Sequence, residues 1–361
     1  MAKKLAFDKV LFTVVVVLVA VGLVMVESAS TVVSGGHQTG FSRLFTKQIL
    51  AVGLGLIAML VVMHIDYRKL GKPAIFGILV LAVVTLLVAV LFGPTVNGTR
   101  RWILLAGFSL QPSELAKFVS VLFMAVMIER TANSERDRDL IFPTLLVPGI
   151  FVALILMETD LGTSIVVAAI TGLMLFLGGL RWRYVLPVAV GAPLLAYILV
   201  QHVEYQKARL TAFLHPDSDP LGHAWQVKQS LIAIGSGGLW GLGPGESLQK
   251  LHFLPFPYSD FLYAIVGEEL GFVGAVAVVL LFAVLAWRGI RAGWLAQDLL
   301  GRHLAWGITA VIVLQALLHV SVALSLAPTT GITLPLMSYG GSSMVATLAA
   351  CGVLLNVSQH G

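Results

Sequence analysis

Apolar residues gather in ten long runs, at 10–26, 48–65, 74–92, 112–128, 141–157, 161–179, 184–200, 261–286, 304–326 and 344–357. A helix needs ~20 such residues to cross a bilayer, and the runs tile nearly the whole chain. The pattern predicts an all-α integral membrane protein of about ten transmembrane helices, a single polytopic domain over 1–361. Only one connection is long, the segment 201–260 between spans seven and eight, rich in Gly, Pro, His and charge. Its centre, IAIGSGGLWGLGPGESLQKLHFLPFPYSD, is half apolar and broken by glycine. Irregular backbone at membrane depth must be sheltered by protein or water, so this stretch is expected to lie on the interface or dip into it.

Composition agrees. Of the 361 residues, 58% are hydrophobic and 11% charged, less than half the charged share of an ordinary soluble domain. Lipid must therefore be the solvent for most of the surface. The first run has a basic start, as a signal peptide does, but it is long and lacks a small-residue cleavage site, so it reads as a retained span. The single cysteine, Cys351, lies in the last run, which excludes a disulfide framework or cysteine metal cluster.

The formal charge of +5 changes meaning once topology is considered. With the amino terminus inside, the short inner segments hold fourteen of the 23 basic residues, from Lys3, Lys4 and Lys9 to Arg288, Arg291 and Arg302. That is the positive-inside bias, with both termini cytoplasmic, and no nucleic-acid partner is needed to explain the charge.

Ionisable groups at membrane depth cost ~2.5–3.5 kcal/mol each, so each candidate asks for a reason. Glu114 and Lys117 open the fourth span three residues apart, share a helix face and can pair, as a structural salt bridge or as a substrate-facing pair. Arg100 and Arg101, followed by Trp102, sit in the outer loop at 93–111 against the positive-inside trend. An interface anchor would explain them, but adjacent arginines also suit phosphate oxygens. Glu158 and Asp160 fill a short outer turn, where Asp160 can cap the next helix. Arg209, with Asp217 and Asp219, reads first as loop charge and turn chemistry, and Arg209 is also a substrate-contact candidate. Asp260, at the junction of the long loop and span eight, is the sharpest candidate, although Asp is also a favoured helix cap. Glu268 and Glu269 follow too far down the helix to form a hydrolase dyad with it. The segment SLAPTTGITLPLMSYGGSS, holding Ser338 and Ser342, joins the last two spans as a connector or as a backbone wall around a polar headgroup. There is no GxxxxGK[ST], HExxH or CxxC, so nucleotide hydrolysis and zinc chemistry have no support.

Taken together, NGTRRWI (97–103), QPSELAKF (111–118), TDLGTS (159–164), QSLIAIGSGGLWGLG (229–243), SDFLYAIVGEELGF (259–272) and PTTGITLPLMSYGGSS (328–343) resemble the SEDS family (shape, elongation, division and sporulation). The resemblance spans nearly the full chain, and the short termini and length resemble the elongation members more than the division members. It implies a bacterial cytoplasmic-membrane peptidoglycan glycosyltransferase that polymerises lipid II on the outer face beside a class B penicillin-binding protein. The family's presumed catalytic Asp falls on Asp260. The Glu and His that usually precede it are absent, since Phe256, Tyr258 and Ser259 stand there. Glu158-Thr159 replaces a more usual Gln-Pro, and His319 stands where Asn is common.

The chemistry such an enzyme needs matches these residues. A lipid diphosphate leaves readily once its charge is neutralised, so the site needs a base for the acceptor hydroxyl and cations for the diphosphate. Asp260 supplies the first. Arg100, Arg101, Lys117 and Arg209, with Trp102, Glu114, Ser338 and Ser342 around them, are the expected substrate contacts. No ligand cluster for a metal is visible, and a divalent cation at the diphosphate is a further expectation. A lipid II flippase and a non-catalytic scaffold for a penicillin-binding protein remain as alternatives.

Overall fold

Hydropathy alone fixes where most helices run. The computed structural model describes residues 7–30, 42–95, 99–105, 108–132, 137–179, 204–215, 222–251 and 253–360. The helices are α1 (Lys9–Ser30), α2 (Arg43–His64), α3 (Pro73–Leu91), α4 (Pro112–Thr131), α5 (Asp137–Met157), α6 (Leu161–Leu177), α7 (Glu204–Leu214), α8 (His223–Ser236), α9 (Leu262–Leu295), α10 (Leu299–Ala323) and α11 (Gly341–Ser358). Nine of the ten expected spans coincide with helices, and the seventh, 184–200, lies outside the described residues. Six helices (α1, α2, α3, α9, α10 and α11) are long and apolar enough to cross a membrane, and α5 and α6 supply shorter apolar stretches.

The helix ends follow local chemistry. Ser42 caps α2 by accepting from the Phe45 amide at 3.0 Å. Pro73 and Pro112 open α3 and α4 at the first turn, where a missing N–H costs nothing. Asp298 caps α10, accepting from the Gly301 amide at 2.7 Å.

α4 is the least apolar of the long helices yet sits at the centre, packed against α3, α5, α6 and α10. Its buried face runs from Pro112 to Ile128 and includes Glu114 and Lys117. Buried charge is tolerated in a membrane bundle where it faces protein and pairs. α11 lies against α2 and α1 against α9, and a β-carbon on Gly352 would meet the Met59 backbone, the close approach that small residues give helices in lipid.

Two local features add to the helical pattern. Within the loop at 93–111, Ile103–Leu105 and Phe108–Leu110 pair as a short antiparallel hairpin. The long segment 201–260 contains α7 and α8.

The glycine-rich part of that segment has a specific task. α9 is broken at Gly271, whose φ of 68° and ψ of −169° are not helical. A break frees backbone groups that lipid cannot satisfy. The loop satisfies them: the Leu242 and Gly243 amides donate to the Glu268 and Glu269 carbonyls at 3.0 and 3.1 Å, and the Phe272 and Val273 amides donate to the Gly238 and Leu239 carbonyls at 2.9 and 3.2 Å. Gly241 and Gly271 stand back to back, so near that a β-carbon on either would strike the other's backbone.

Candidate active site

The loop Ala327–Gly340 between α10 and α11 is the centre around which the charged residues collect. Gly331 holds a φ of +72°, and a β-carbon added there would lie 3.6 Å from Asp260 Oδ2, 3.7 Å from Arg209 Nη1 and 3.8 Å from Arg101 Nη1. Three charged groups from three separate parts of the chain thus converge on one bare stretch of backbone. Glycine serves twice here, through its access to positive φ and through the space it leaves open.

Asp260 stands before α9 with its side chain half buried. The cap position belongs to Phe261 and carries no side-chain cap bond, so capping does not explain the aspartate. Among the described residues no group donates a hydrogen bond to its carboxylate. Arg209, on α7, donates from Nη1 to the Thr329 carbonyl at 3.2 Å. Arg101 reaches Asp160 Oδ2 at 3.9 Å, and its buried Nε has no partner among the described residues. Asp160 does cap its helix, accepting from the Thr163 amide at 3.1 Å, and it also accepts from Gln111 Nε2 at 3.0 Å.

The arginine pair does not act as one fork. Arg100 is exposed and donates to the Leu91 carbonyl at the end of α3, at 3.2 Å, while Arg101 turns inward. Trp102 is half buried between that anchor and the hairpin. Lys117, 2% exposed, donates to Glu114 Oε2 at 2.9 Å and Gln315 Oε1 at 2.5 Å. Gln315 in turn donates to the Thr333 carbonyl at 2.9 Å, so Lys117 supports the Gly331 loop through α10. The two serines are spent on backbone. Ser338 Oγ donates to the Ser259 carbonyl at 2.8 Å and accepts from the Leu334 amide at 3.0 Å, and Ser342 Oγ accepts from the Gln111 amide at 3.2 Å. Ser338 thereby ties the residue before Asp260 to the loop. Asp217 and Asp219 lie outside the described residues.

Two groups at this site were noted in the sequence but given no part in the chemistry. His319 on α10 donates from Nδ1 to the Ile332 carbonyl at 2.9 Å; because a carbonyl only accepts, Nδ1 carries the proton. Its buried Nε2 has no partner among the described residues, and it lies near enough to Asp260 to feel that charge. Glu158, in the turn after α5, is fully buried with both carboxyl oxygens unpartnered among the described residues. Burial first, then the charge of Asp160, pushes it up to about 9, and Arg101 opposes that shift. Glu158 is therefore a neutral acid at neutral pH. Unsatisfied buried polar atoms are scarce in native proteins, and those of Arg101, Glu158 and His319 single this region out. Neither contact could be read beforehand, since the ring bond joins α10 to the Gly331 loop and the burial depends on the fold. Glu268 and Glu269 belong elsewhere. Glu268 accepts from Ser247 Oγ and from the Leu248 amide at 3.0 Å, and Glu269 accepts from Lys250 Nζ at 3.1 Å and Ser28 Oγ at 2.5 Å.

No three His, Cys, Asp or Glu side chains group as metal ligands among the described residues. One carboxylate beside two guanidinium groups makes no cage for an ion. It suits one held mainly by substrate phosphates, as magnesium commonly is.

Fold and site together define a polytopic membrane protein with charged groups converging on Gly331 at one end of its helix bundle. The chain belongs to the FtsW/RodA/SpoVE family of cell cycle proteins, whose family model matches residues 8–361. Among its relatives, the "Probable peptidoglycan glycosyltransferase FtsW" of Trichlorobacter lovleyi is 39% identical over 98% of this chain and 93% of the relative. The stage V sporulation protein E of Bacillus subtilis is 40% identical over 99% and 98%. A chain from a solved peptidoglycan synthase complex, described as coordinating polymerization and crosslinking, superposes with a TM-score of 0.79 at 31% identity, covering 98% of both chains. The rod shape determining protein RodA of Thermus thermophilus superposes at 0.72 with 30% identity, over 98% of this chain and 97% of that one.

Proposed function

We propose that this protein is a peptidoglycan glycosyltransferase that polymerises lipid II on the outer face of the bacterial cytoplasmic membrane, with both its termini on the inner side. The observation that carries this reading is the convergence of Asp260 Oδ2, Arg209 Nη1 and Arg101 Nη1 on Gly331. In the reaction the acceptor sugar hydroxyl gives its proton to Asp260 while its oxygen attacks the anomeric carbon. The bond from that carbon to the lipid diphosphate breaks, and the electron pair leaves on the phosphate oxygen. A single in-line displacement inverts the anomeric centre. Arg101 and Arg209 neutralise the leaving charge, and Lys117, Glu114, Ser338 and Ser342 position the loops that carry the site. Were a divalent cation to accompany the diphosphate, Asp260 would be the carboxylate nearest to it, and the ion would supply further positive charge for the leaving group.

The names of the relatives support the activity, and the synthase complex supports a class B penicillin-binding protein as partner. Identities of 35–42% to proteins named for division and sporulation, against 30% to the rod-shape structure, favour a division or sporulation setting over the elongation setting that chain length suggested. Charge gathered at helix ends, rather than at the midplane as in many transporters, favours polymerase over flippase.

The test is polymerisation of labelled lipid II by the purified protein. Asp260→Asn keeps the shape but cannot take the proton, and the expected loss is ~10²–10⁴ in rate, with the protein still folded and binding lipid II. Wild-type polymerisation by this variant removes Asp260 from the chemistry. No polymerisation by the wild-type protein, alone or with a penicillin-binding partner, removes the activity.

A further inference from the structure

At the far end of the bundle from Asp260, the start of α1, the end of α9 and the end of α11 line an open pocket of about 320 Å³. Its lining includes Asp8, Lys9, Val10, Arg288, Arg291 and Leu295. Three cations and one carboxylate share this space, and the carboxylate is already committed. Asp8 Oδ2 accepts from Arg288 Nε at 2.7 Å and Nη2 at 2.5 Å, and Asp8 Oδ1 accepts from the Leu11 amide at 3.0 Å. Lys9 and Arg291 are exposed and make no ion pair with any described residue. Among the described residues, the pocket therefore carries two positive charges without a counter-charge.

Its depth in the membrane is marked independently. Trp287 and Trp294, two turns apart on α9, are 59% and 72% exposed. Tryptophans in that setting sit at the headgroup level of the bilayer. Val10 and Leu295 add apolar wall at 46% and 56% exposure. Cations flanked by exposed apolar side chains match a phosphate-bearing headgroup with acyl chains attached. Positive-inside bias accounts for basic residues on this side; it does not account for their convergence with Val10 and Leu295 on one pocket.

We infer that this pocket binds the phosphate headgroup of an anionic phospholipid from the cytoplasmic leaflet. The inference rests on the orientation proposed above, in which this end faces the cytoplasm. Each surface cation near an anionic leaflet contributes ~1 kcal/mol, about fivefold in affinity.

The experiment uses the delipidated full-length protein in detergent, titrated with phosphatidylglycerol, phosphatidylcholine or inorganic phosphate, and read by native mass spectrometry and thermal shift. The expected result is retention and stabilisation by phosphatidylglycerol alone, weakened about fivefold by Lys9→Gln and again by Arg291→Gln, with Arg291→Lys binding as the wild type does. Equal binding of phosphatidylcholine, unchanged binding in the Gln variants, or equal protection by inorganic phosphate each overturns the lipid assignment. Both Gln variants keep lipid II polymerisation, which separates this site from the catalytic one. A membrane-impermeant thiol reagent applied to intact cells carrying Gln297→Cys, at the exposed α9–α10 connection, checks the orientation separately. Labelling from outside sinks the leaflet assignment, and protection upholds it.

Discussion

Arg209 and Asp260 face the same open position beside Gly331, 3.7 and 3.6 Å from where a β-carbon would stand. One comes from α7 and the other from the approach to α9, so the long segment between spans folds back to present both its ends to one loop. Opposite charges so disposed can serve donor and acceptor substrates at once, provided nothing fills the gap.

Gly331→Ala fills it. The substitution costs ~1 kcal/mol in backbone strain at positive φ, small against the stability of a helix bundle, but pushes on all three charged groups. Polymerisation is expected to fall by ~10²-fold, the scale of a 1 Å misplacement, at equal amounts of folded protein by size-exclusion chromatography. A rate near wild type would mean that the three groups do not act together.

Glu158 makes stability depend on pH. Its folded-state pKa of about 9 lies above the ordinary 4.5, so between those values the folded protein holds a proton that the unfolded chain has lost. Stability then falls as pH rises through this window. Glu158→Gln removes the liability, and its melting temperature should exceed that of the wild type by more at pH 8 than at pH 6. A gap that does not widen with pH would show a charged, compensated Glu158.

Lys117 and Glu114 form a buried pair, and breaking one side strands the other. Lys117→Ala is expected to cost ~3–5 kcal/mol and to loosen the Gly331 loop through Gln315. The double change Lys117→Met with Glu114→Gln should recover most of the stability but not the activity. Thermal melts beside polymerisation assays distinguish these outcomes. Recovery of both would leave the pair a purely structural device.

Glu269 anchors the outer loop, not the chemistry. In Glu269→Ala the buried Lys250 loses its counter-charge and the Gly245 amide its acceptor at 3.0 Å. Melting temperature should drop sharply, while the surviving folded fraction keeps lipid II affinity. A variant that melts normally yet cannot polymerise would move Glu269 into the site.

The helices were legible because hydropathy is a local property, and the Glu114–Lys117 pair because i,i+3 spacing is local too. The hairpin at 103–110 was hidden, since its short strands carry no run long enough to separate from an apolar turn. Arg209 read first as loop charge although it was also a substrate-contact candidate, and Arg100 and Arg101 looked like a unit. Adjacency along the chain says nothing about which way each side chain turns once one of them finds a helix end. Gly331, His319 and Glu158 depended on contacts between elements far apart in sequence. Asp260 was reached through resemblance and through its place at a membrane boundary, and its freedom from capping could be read only from the fold.

The exchange of backbone bonds between 238–243 and 268–273 also bears on how the molecule yields to force. Helices in a bilayer are usually pulled out one after another, since each completes its own hydrogen bonds. Here the first part of α9 completes its ladder only with the glycine segment docked against it. Drawn from the membrane by an atomic force microscope tip, residues from α8 to beyond Gly271 would come away in a single rupture.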